Sequence, residues 1–474
     1  MLNKIIGKRI KELRIIANDL SQEQLASLVG CDRAYLSRIE SGKQNITIVS
    51  LNQICNALGI SLKNSLNLLM MKSKKGSNRQ MDFFASLSEK ERENYIKYLG
   101  IMGSLSRFFS ENPSPYLDSR ICENLFCKCL NAENLARKDC TADAKKGDIG
   151  IGIKTWMGGN LQKIAEFNKA RPQYKHLSGL EKAKKIAQLR NDRIDVTMRA
   201  YGLKSMIYHV TIREPGLIRI LECPLDRIDI DNIRILSDTD SSLAFTDELN
   251  IYSFNNSKSV LMEHFDKLVE KAHVDVNIIA DPYPIIEGLL TNKNADTQMA
   301  SAISSAFTPS IEKKKNPFIY LRLYTYKSKK TYEKYVPERS GLNQWNALGR
   351  KRDPNELYIP ISAEDRKRTP DFFPDRDTPF SLELPDGQTI SAKVCQENSK
   401  ALMSNPNSTL GKWLLRDVFH IQENKLLTYS FLQSIDIDSV RIEKLSDRLY
   451  KIDFAKVDSY EDWMQGFRVD DPED

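Results

Sequence analysis

The residues with the most chemical potential lie between positions 141 and 166, TADAKKGDIGIGIKTWMGGNLQKIAE. Here two acids, Asp143 and Glu166, stand on either side of Lys154. Carboxylate oxygens are the hard donors that a magnesium ion takes, and the ion offsets the charge of a phosphodiester. A nearby ammonium orients the attacking water and favours its hydroxide form. The set therefore points to Mg2+-dependent phosphodiester hydrolysis, with Asp143 and Glu166 as metal ligands and Lys154 beside the water. Glu123, on a preceding helix, is a candidate further ligand. Asp139 and Asp148 compete with Asp143 for the first position, and strand parity favours Asp143.

That parity comes from the elements that must hold these groups. A strand over 141–144, a turn Lys145-Lys146-Gly147-Asp148 and a strand reaching Trp156 make a hairpin. Strand side chains alternate, so Ile149, Ile151 and Ile153 share one face, and Gly150, Gly152, Lys154 and Trp156 the other. If the turn closes between Ala144 and Ile149, Asp143 lies opposite Gly150 on the face of Lys154. Gly158-Gly159-Asn160 is read as opening a helix with Leu161, Ile164 and Ala165 as its apolar stripe and Glu166 off it. The stretch resembles the PD-(D/E)XK core of type II restriction endonucleases, in the variant whose second carboxylate stands on the following helix. Gly152 occupies the usual (D/E) position, so the resemblance implies that Glu166 supplies the missing ligand.

A chain of 474 residues is too long for one core and suggests about three domains. Its net charge of +7 leans toward a polyanionic partner. No apolar run is long enough to span a bilayer, and MLNKIIGKRI lacks the apolar core of a secretory signal, so the cytoplasm is expected. The eight cysteines contain no C-x-x-C pair. Cys122, Cys127, Cys129 and Cys140 cluster without a neighbouring histidine, which favours reduced thiols over zinc. The five histidines show no ligand-like spacing.

Residues 1–72 carry strong helical punctuation. A first helix over 3–17 presents Ile6, Ile10 and Leu13 on one face; Ser21-Gln22-Glu23-Gln24 is a capping box; Gly30 ends the second helix and Asp32 caps the third. Two short helices joined by a tight glycine turn make a helix-turn-helix. The run SQEQLASLVGCDRAYLSRIESGKQNITIVSLNQICNALGI resembles the Xre/phage-repressor family. That resemblance implies that Gln22, Arg33, Ser37 and Arg38 face DNA, with Lys43 and Asn45 near phosphates. MKSKKGSNRQ, at 71–80, reads as a linker.

Residues 81–308 are expected to form an α+β domain. Helices are predicted over 88–107, 116–137, 179–199 and 258–272, and strands over 205–212, 217–222, 228–236 and 243–254. A second linker, TPSIEKKKNP, precedes 317–474, where short strands and a Pro385-Asp386-Gly387 turn suggest a small open barrel. Two of its loops are rich in side chains that bond base edges: Asn343, Gln344, Trp345, Asn346, Arg350 and Arg352 in one, Lys400, Ser404, Asn405 and Asn407 in the other. ERSGLNQWNALGRKRDPNELYIPI and SKALMSNPNSTLGKWLLRDV resemble the recognition domain of NgoFVII-type restriction endonucleases, which is similar to plant B-three domains. The resemblance implies a mostly-β pseudobarrel gripping the major groove with these two arms.

The expectation is a three-domain type II restriction endonuclease acting on double-stranded DNA with Mg2+, paired with a cognate DNA methyltransferase that protects the host. A homodimer is expected, because cutting both strands takes two sites. The alternative is a non-catalytic transcription regulator with two DNA-binding modules.

Overall fold

The computed structural model describes residues 20–58, 82–136, 140–291, 316–328 and 331–466, together with 7, 10, 11 and 14. Both expected linkers lie largely outside these residues, as does Asp139. Contacts divide the chain into two compact units: 1–81 with 159–191 and 227–267, and 82–158 with 192–226 and 268–474. The stretch 81–308 is thus shared between them.

In the first unit the helix-turn-helix forms where capping requires it. Ser21 accepts from the Gln24 N–H while Gln24 reaches back to Ser21, opening the helix Gln22–Val29. Gly30, at φ 73°, ends it in a left-handed conformation that glycine adopts without a Cβ penalty. Asp32 caps Arg33–Glu40 and Thr47 caps Ile48–Ala57. Leu25, Leu36, Ile39, Leu51 and Ile54 form the core. Beneath them Arg14 Nε donates to Glu40 Oε1 at 2.7 Å, a buried pair.

The central strands are, in chain order, β1 (Glu133–Asn134), β2 (Ala144–Lys146), β3 (Ile149–Trp156), β4 (Leu161–Glu166), β5 (Ser205–Glu214), β6 (Leu217–Pro224), β7 (Arg234–Asp238), β8 (Ser242–Thr246), β9 (Ile251–Asn255), β10 (Val260–His264) and β11 (Val269–Asp275). The first unit holds a five-stranded antiparallel sheet, β4-β10-β9-β8-β7. It packs Phe167, Tyr174, Leu243, Phe245 and Phe254 against Ala183, Ile186 and Leu189 of the helix Gly179–Ala200.

Two expected helices are therefore strands. Leu161–Glu166 pairs with Val260–His264, and the expected 258–272 helix is β10 followed by β11. Both sequences carry apolar residues at spacings that either element accepts. Partners distant in sequence decide between them, and no local pattern records those partners.

The second unit contains a six-stranded mixed sheet, β1-β2-β3-β5-β6-β11, in which β3 and β5 are parallel and the other pairs antiparallel. The helices Glu89–Ser104 and Ser119–Cys129 cover one face, burying Tyr95, Leu99, Cys122 and Phe126 against Ile151, Ile153, Ile207 and Ile220. The same unit ends in a seven-stranded sheet. Its strands are β12 (Phe318–Arg322), β15 (Ile359–Pro360), β16 (Phe380–Glu383), β17 (Thr389–Cys395), β18 (Ala401–Ser404), β19 (Ile437–Ser446) and β20 (Leu449–Lys456); β13 (Thr325–Tyr326) and β14 (Lys334–Tyr335) make a separate ribbon. The order β12-β19-β20-β16-β17-β18-β15 curls into a nearly closed barrel, with β16 and β20 parallel.

Candidate functional site

The hairpin expected around Lys154 is present, with a shifted turn. Ala144 pairs with Ile151 and Lys146 with Ile149, so the loop is Gly147-Asp148, with Gly147 at φ 61°. Ala144 opposite Ile151 is the last regular pair, and Asp143 also bonds Ile151, so the register expected for Asp143 opposite Gly150 does not form. The Asp143 N–H donates to Ile151 O at 2.8 Å, and its Oδ2 accepts from the Ile153 N–H at 2.7 Å. One carboxylate oxygen is thereby fixed by the backbone of the strand that carries Lys154.

A second acid in the field of Asp143 and Lys154 is Glu123. It stands on Ser119–Cys129, a helix seated on the sheet by Phe126, whose ring centroid lies 4.9 Å from that of His209. Glu123 is only 8% exposed. Burial first, and the charge of Asp143 second, hold its carboxyl above the ordinary range, while Arg120 and Lys154 oppose the shift. Burial likewise raises Asp143, against the pull of Lys154 and the Ile153 N–H. The thiol of Cys127, one helical turn beyond Glu123, reports the same field: burial, then Glu123 and Asp143, push it up to about 12. Two half-desolvated carboxylates with a cation in their field are hard oxygen donors that gain from a divalent ion, so they fit Mg2+.

Glu166 belongs to the other unit. It ends β4 in the five-stranded sheet of the first unit, opposite Val260, with its carboxylate 2.6 Å from Lys163 Nζ. The expected helix does not exist, so its geometric case for replacing the missing (D/E) carboxylate is lost. The glycine at that position is sterically required: a Cβ on Gly152 would come within 2.9 Å of the Tyr208 ring and 3.2 Å of Leu225. Asp148, the alternative first acid, sits in the turn and pairs with Lys204 at 2.8 Å.

A buried polar relay went unforeseen. His209 is fully buried, with Nδ1 3.1 Å from Glu222 Oε1 and Nε2 3.1 Å from the Tyr95 hydroxyl, while Glu222 Oε2 accepts from the Phe84 N–H. These bonds hold the helices at 83–104 onto the sheet. The alternation of His209 with Ile207 on β5 was its only signal in the sequence.

The helix-turn-helix presents Arg33, Ser37, Arg38, Lys43 and Asn45 to solvent. Gln22 is partly withdrawn: its Nε2 donates to the buried Glu40 Oε2 at 2.7 Å. The pair Arg14–Glu40 therefore also fixes the side chain expected to read DNA.

In the barrel's arms several expected readers are structural. Asn343, 1% exposed, donates to Pro337 O and Leu427 O and accepts from the Leu427 N–H. Ser404, fully buried, donates to Pro406 O and accepts from the Leu410 N–H. Asn346 donates to Glu338 O. Arg350 and Arg352 both grip the buried Glu356, at 2.6 and 2.7 Å, but Arg350 remains half exposed whereas Arg352 does not. Gln344 and Trp345 are half-buried; Lys400, Asn405 and Asn407 are exposed. Asp438, Asp458 and Glu461 form a cluster with metal-ligand spacing, yet Lys334 Nζ lies 2.7–3.1 Å from all three. The cation there is the protein's own.

This is a multidomain DNA-binding protein, with a helix-turn-helix at its N-terminus, a central α+β region and a B-three-like barrel at its C-terminus. A helix-turn-helix family model matches residues 10–63, and the model of the NgoFVII C-terminal B3-like DNA-binding domain matches 311–445. The chain is 46% identical to control protein C.MunI of Mycoplasma sp. over 12% of its own length and 76% of that protein. It is 32% identical to control protein C.BamHI of Bacillus amyloliquefaciens over 13% and 78%. The crystal structure of the restriction-modification controller protein C.AhdI from Aeromonas hydrophila is 38% identical, covering 13% of this chain and 94% of that one, with a TM-score of 0.13. Through its N-terminal domain the chain belongs to the helix-turn-helix family that includes these control proteins.

Proposed function

We propose that this protein is a type II restriction endonuclease that hydrolyses double-stranded DNA with Mg2+, its barrel choosing the site and its central region cutting. The observation that supports the reading is electrostatic: Glu123 on its helix feels the charges of Asp143 and Lys154, and Asp143 feels that of Lys154. Asp143 and Glu123 would hold the ion; Lys154 would hold the attacking water by its ammonium and favour the water's loss of a proton. When bound, Mg2+ supplies charge neutralisation of the phosphodiester and lowers the pKa of a bound water. The Ile153 N–H fixes one Asp143 oxygen and leaves the other for the ion. Glu166, at the end of β4, is not among the causes that shift Glu123 or Asp143. The helix-turn-helix would bind a second DNA site, as the control of its own promoter requires, and two copies of the chain would cut the two strands. A cognate methyltransferase is expected in the same system.

Supercoiled plasmid incubated with Mg2+ and then with EDTA tests the reading. Metal-dependent linearisation is expected from the wild-type chain. Lys154→Ala should lower the rate at least about a hundredfold while sparing specific binding; a fully active variant would remove the mechanism. One observation favours a second reading, a transcription regulator without nuclease activity. The (D/E) position is a glycine with no room for a side chain. Intact plasmid under every metal tried would establish that alternative.

A further inference from the structure

The hairpin that carries Asp143 does not stand alone, and neither does the barrel. Both are fastened to the same short piece of chain, the end of the helix Gly179–Ala200 and the residues that follow it. On the barrel side, Arg199 Nε donates to Val418 O at 2.7 Å, and the Tyr201 hydroxyl donates to Asp453 Oδ1 on β20 at 2.7 Å. Arg193, two turns earlier, donates to Ser434 O and lies 3.6 Å from Asp436. On the hairpin side, the Thr141 N–H donates to Thr197 Oγ1 at 3.0 Å, and Lys145 Nζ donates to Tyr201 O at 2.7 Å. Lys204 closes the turn, its N–H donating to Asp148 O at 2.8 Å. Asp143 therefore lies between two residues, Thr141 and Lys145, that hang on this segment, and Tyr201 holds the hairpin by its carbonyl and the barrel by its hydroxyl.

We infer that residues 193–204 link target recognition to cleavage, with Tyr201 as a positioning residue that sets Asp143 according to how the barrel is seated on DNA. The inference rests on the nuclease reading above. Coupling between sites requires a physical element that both can bias, and a helix end bonded on both flanks is one. A displacement of β20 or of the loop at Val418 moves Tyr201 and Arg199, and through Lys145 and Thr141 it moves the strand entry where Asp143 stands. The bonds are directional, so removing one hydroxyl weakens the link without opening a core.

The test uses the full chain and a duplex oligonucleotide spanning the cut site mapped with the wild type. Tyr201→Phe deletes only the hydroxyl; Arg199→Gln shortens the second tether; Asp453→Asn keeps an Oδ1 acceptor and serves as the conservative control. Affinity is measured in EDTA, melting temperature alongside it, and the single-turnover rate after Mg2+ is added. Tyr201→Phe and Arg199→Gln are expected to keep affinity within about twofold and to melt with the wild type, yet to cut about tenfold more slowly, with Asp453→Asn near the wild-type rate. Wild-type cutting by both variants overturns the link, and so does loss of binding in proportion to cutting. A wild-type chain that cuts no DNA overturns the nuclease reading beneath it, a different failure seen before any variant is made.

Discussion

Glu123 and Asp143 hold their protons more tightly in the folded chain than in the unfolded one, chiefly because burial penalises their charged forms. The consequence for stability has a definite sign. Below the ordinary carboxylate range both states are protonated and the two acids cost nothing. As pH rises through that range and then through the raised folded values, the unfolded chain ionises more readily and the folded chain loses stability. Glu123→Gln and Asp143→Asn should therefore raise the melting temperature of the metal-free protein near neutral pH and, under the proposed nuclease function, abolish cleavage. Mg2+ should stabilise the wild type and leave both variants nearly unmoved. Thermal melts in EDTA and in Mg2+ check this; variants that melt lower in EDTA would refute the strained-acid account. Lys334 shows the opposite logic. Its ammonium lies among Asp438, Asp458 and Glu461, with Asp438 fully buried and, through that burial, its carboxyl pushed up to about 6. Lys334→Met would strand that charge, with an expected loss of about 3–5 kcal/mol in chemical denaturation at neutral pH, relieved by acid as Asp438 protonates.

At the scale of elements, the legible parts were those whose reasons are local. Capping residues, the Gly30 stop, the Gly/Ile alternation of β3 and the long amphipathic helix from Gly179 each declare themselves within a few residues, and each formed. What could not be read locally was partnership. LQKIAE becomes a strand because Val260–His264 lies beside it, and Glu123 enters the field of Asp143 because Phe126 packs on a histidine of β5. The arms of the barrel teach the same lesson for side chains. Asn343 and Ser404 have the chemistry to bond a base edge, but the fold had already taken their donors and acceptors. Asn343→Ala is accordingly expected to cost about 2–4 kcal/mol in stability, since it orphans buried backbone groups, and to leave the preferred DNA sequence unchanged. Selection of bound sequences from a random duplex pool, beside a denaturation curve, separates the two effects; a changed preference with unchanged stability would return Asn343 to the reading surface. Of the expected readers in the two arms, Arg350, Lys400, Asn405 and Asn407 remain exposed.

For the whole molecule, two DNA-binding domains in one chain of net charge +7 raise the question of whether they serve one site or two. If the helix-turn-helix merely adds affinity at the cut site, removing its cationic contacts weakens cleavage there. If it binds a separate operator, cleavage is spared and a second class of bound sequence disappears. Arg33 and Arg38 are exposed on the helix Arg33–Glu40, so Arg33→Ala with Arg38→Ala removes two charges without unfolding the domain. Each lost phosphate contact lowers the slope of log affinity against log salt by about 0.9. The double variant should therefore show a slope shallower by up to about 2 at the operator and an unchanged slope at the cut site. Equal losses at both sequences would mean that both domains grip one stretch of DNA. The protein would then be a single reader with two hands, and its N-terminal domain would add affinity to cleavage instead of regulating it.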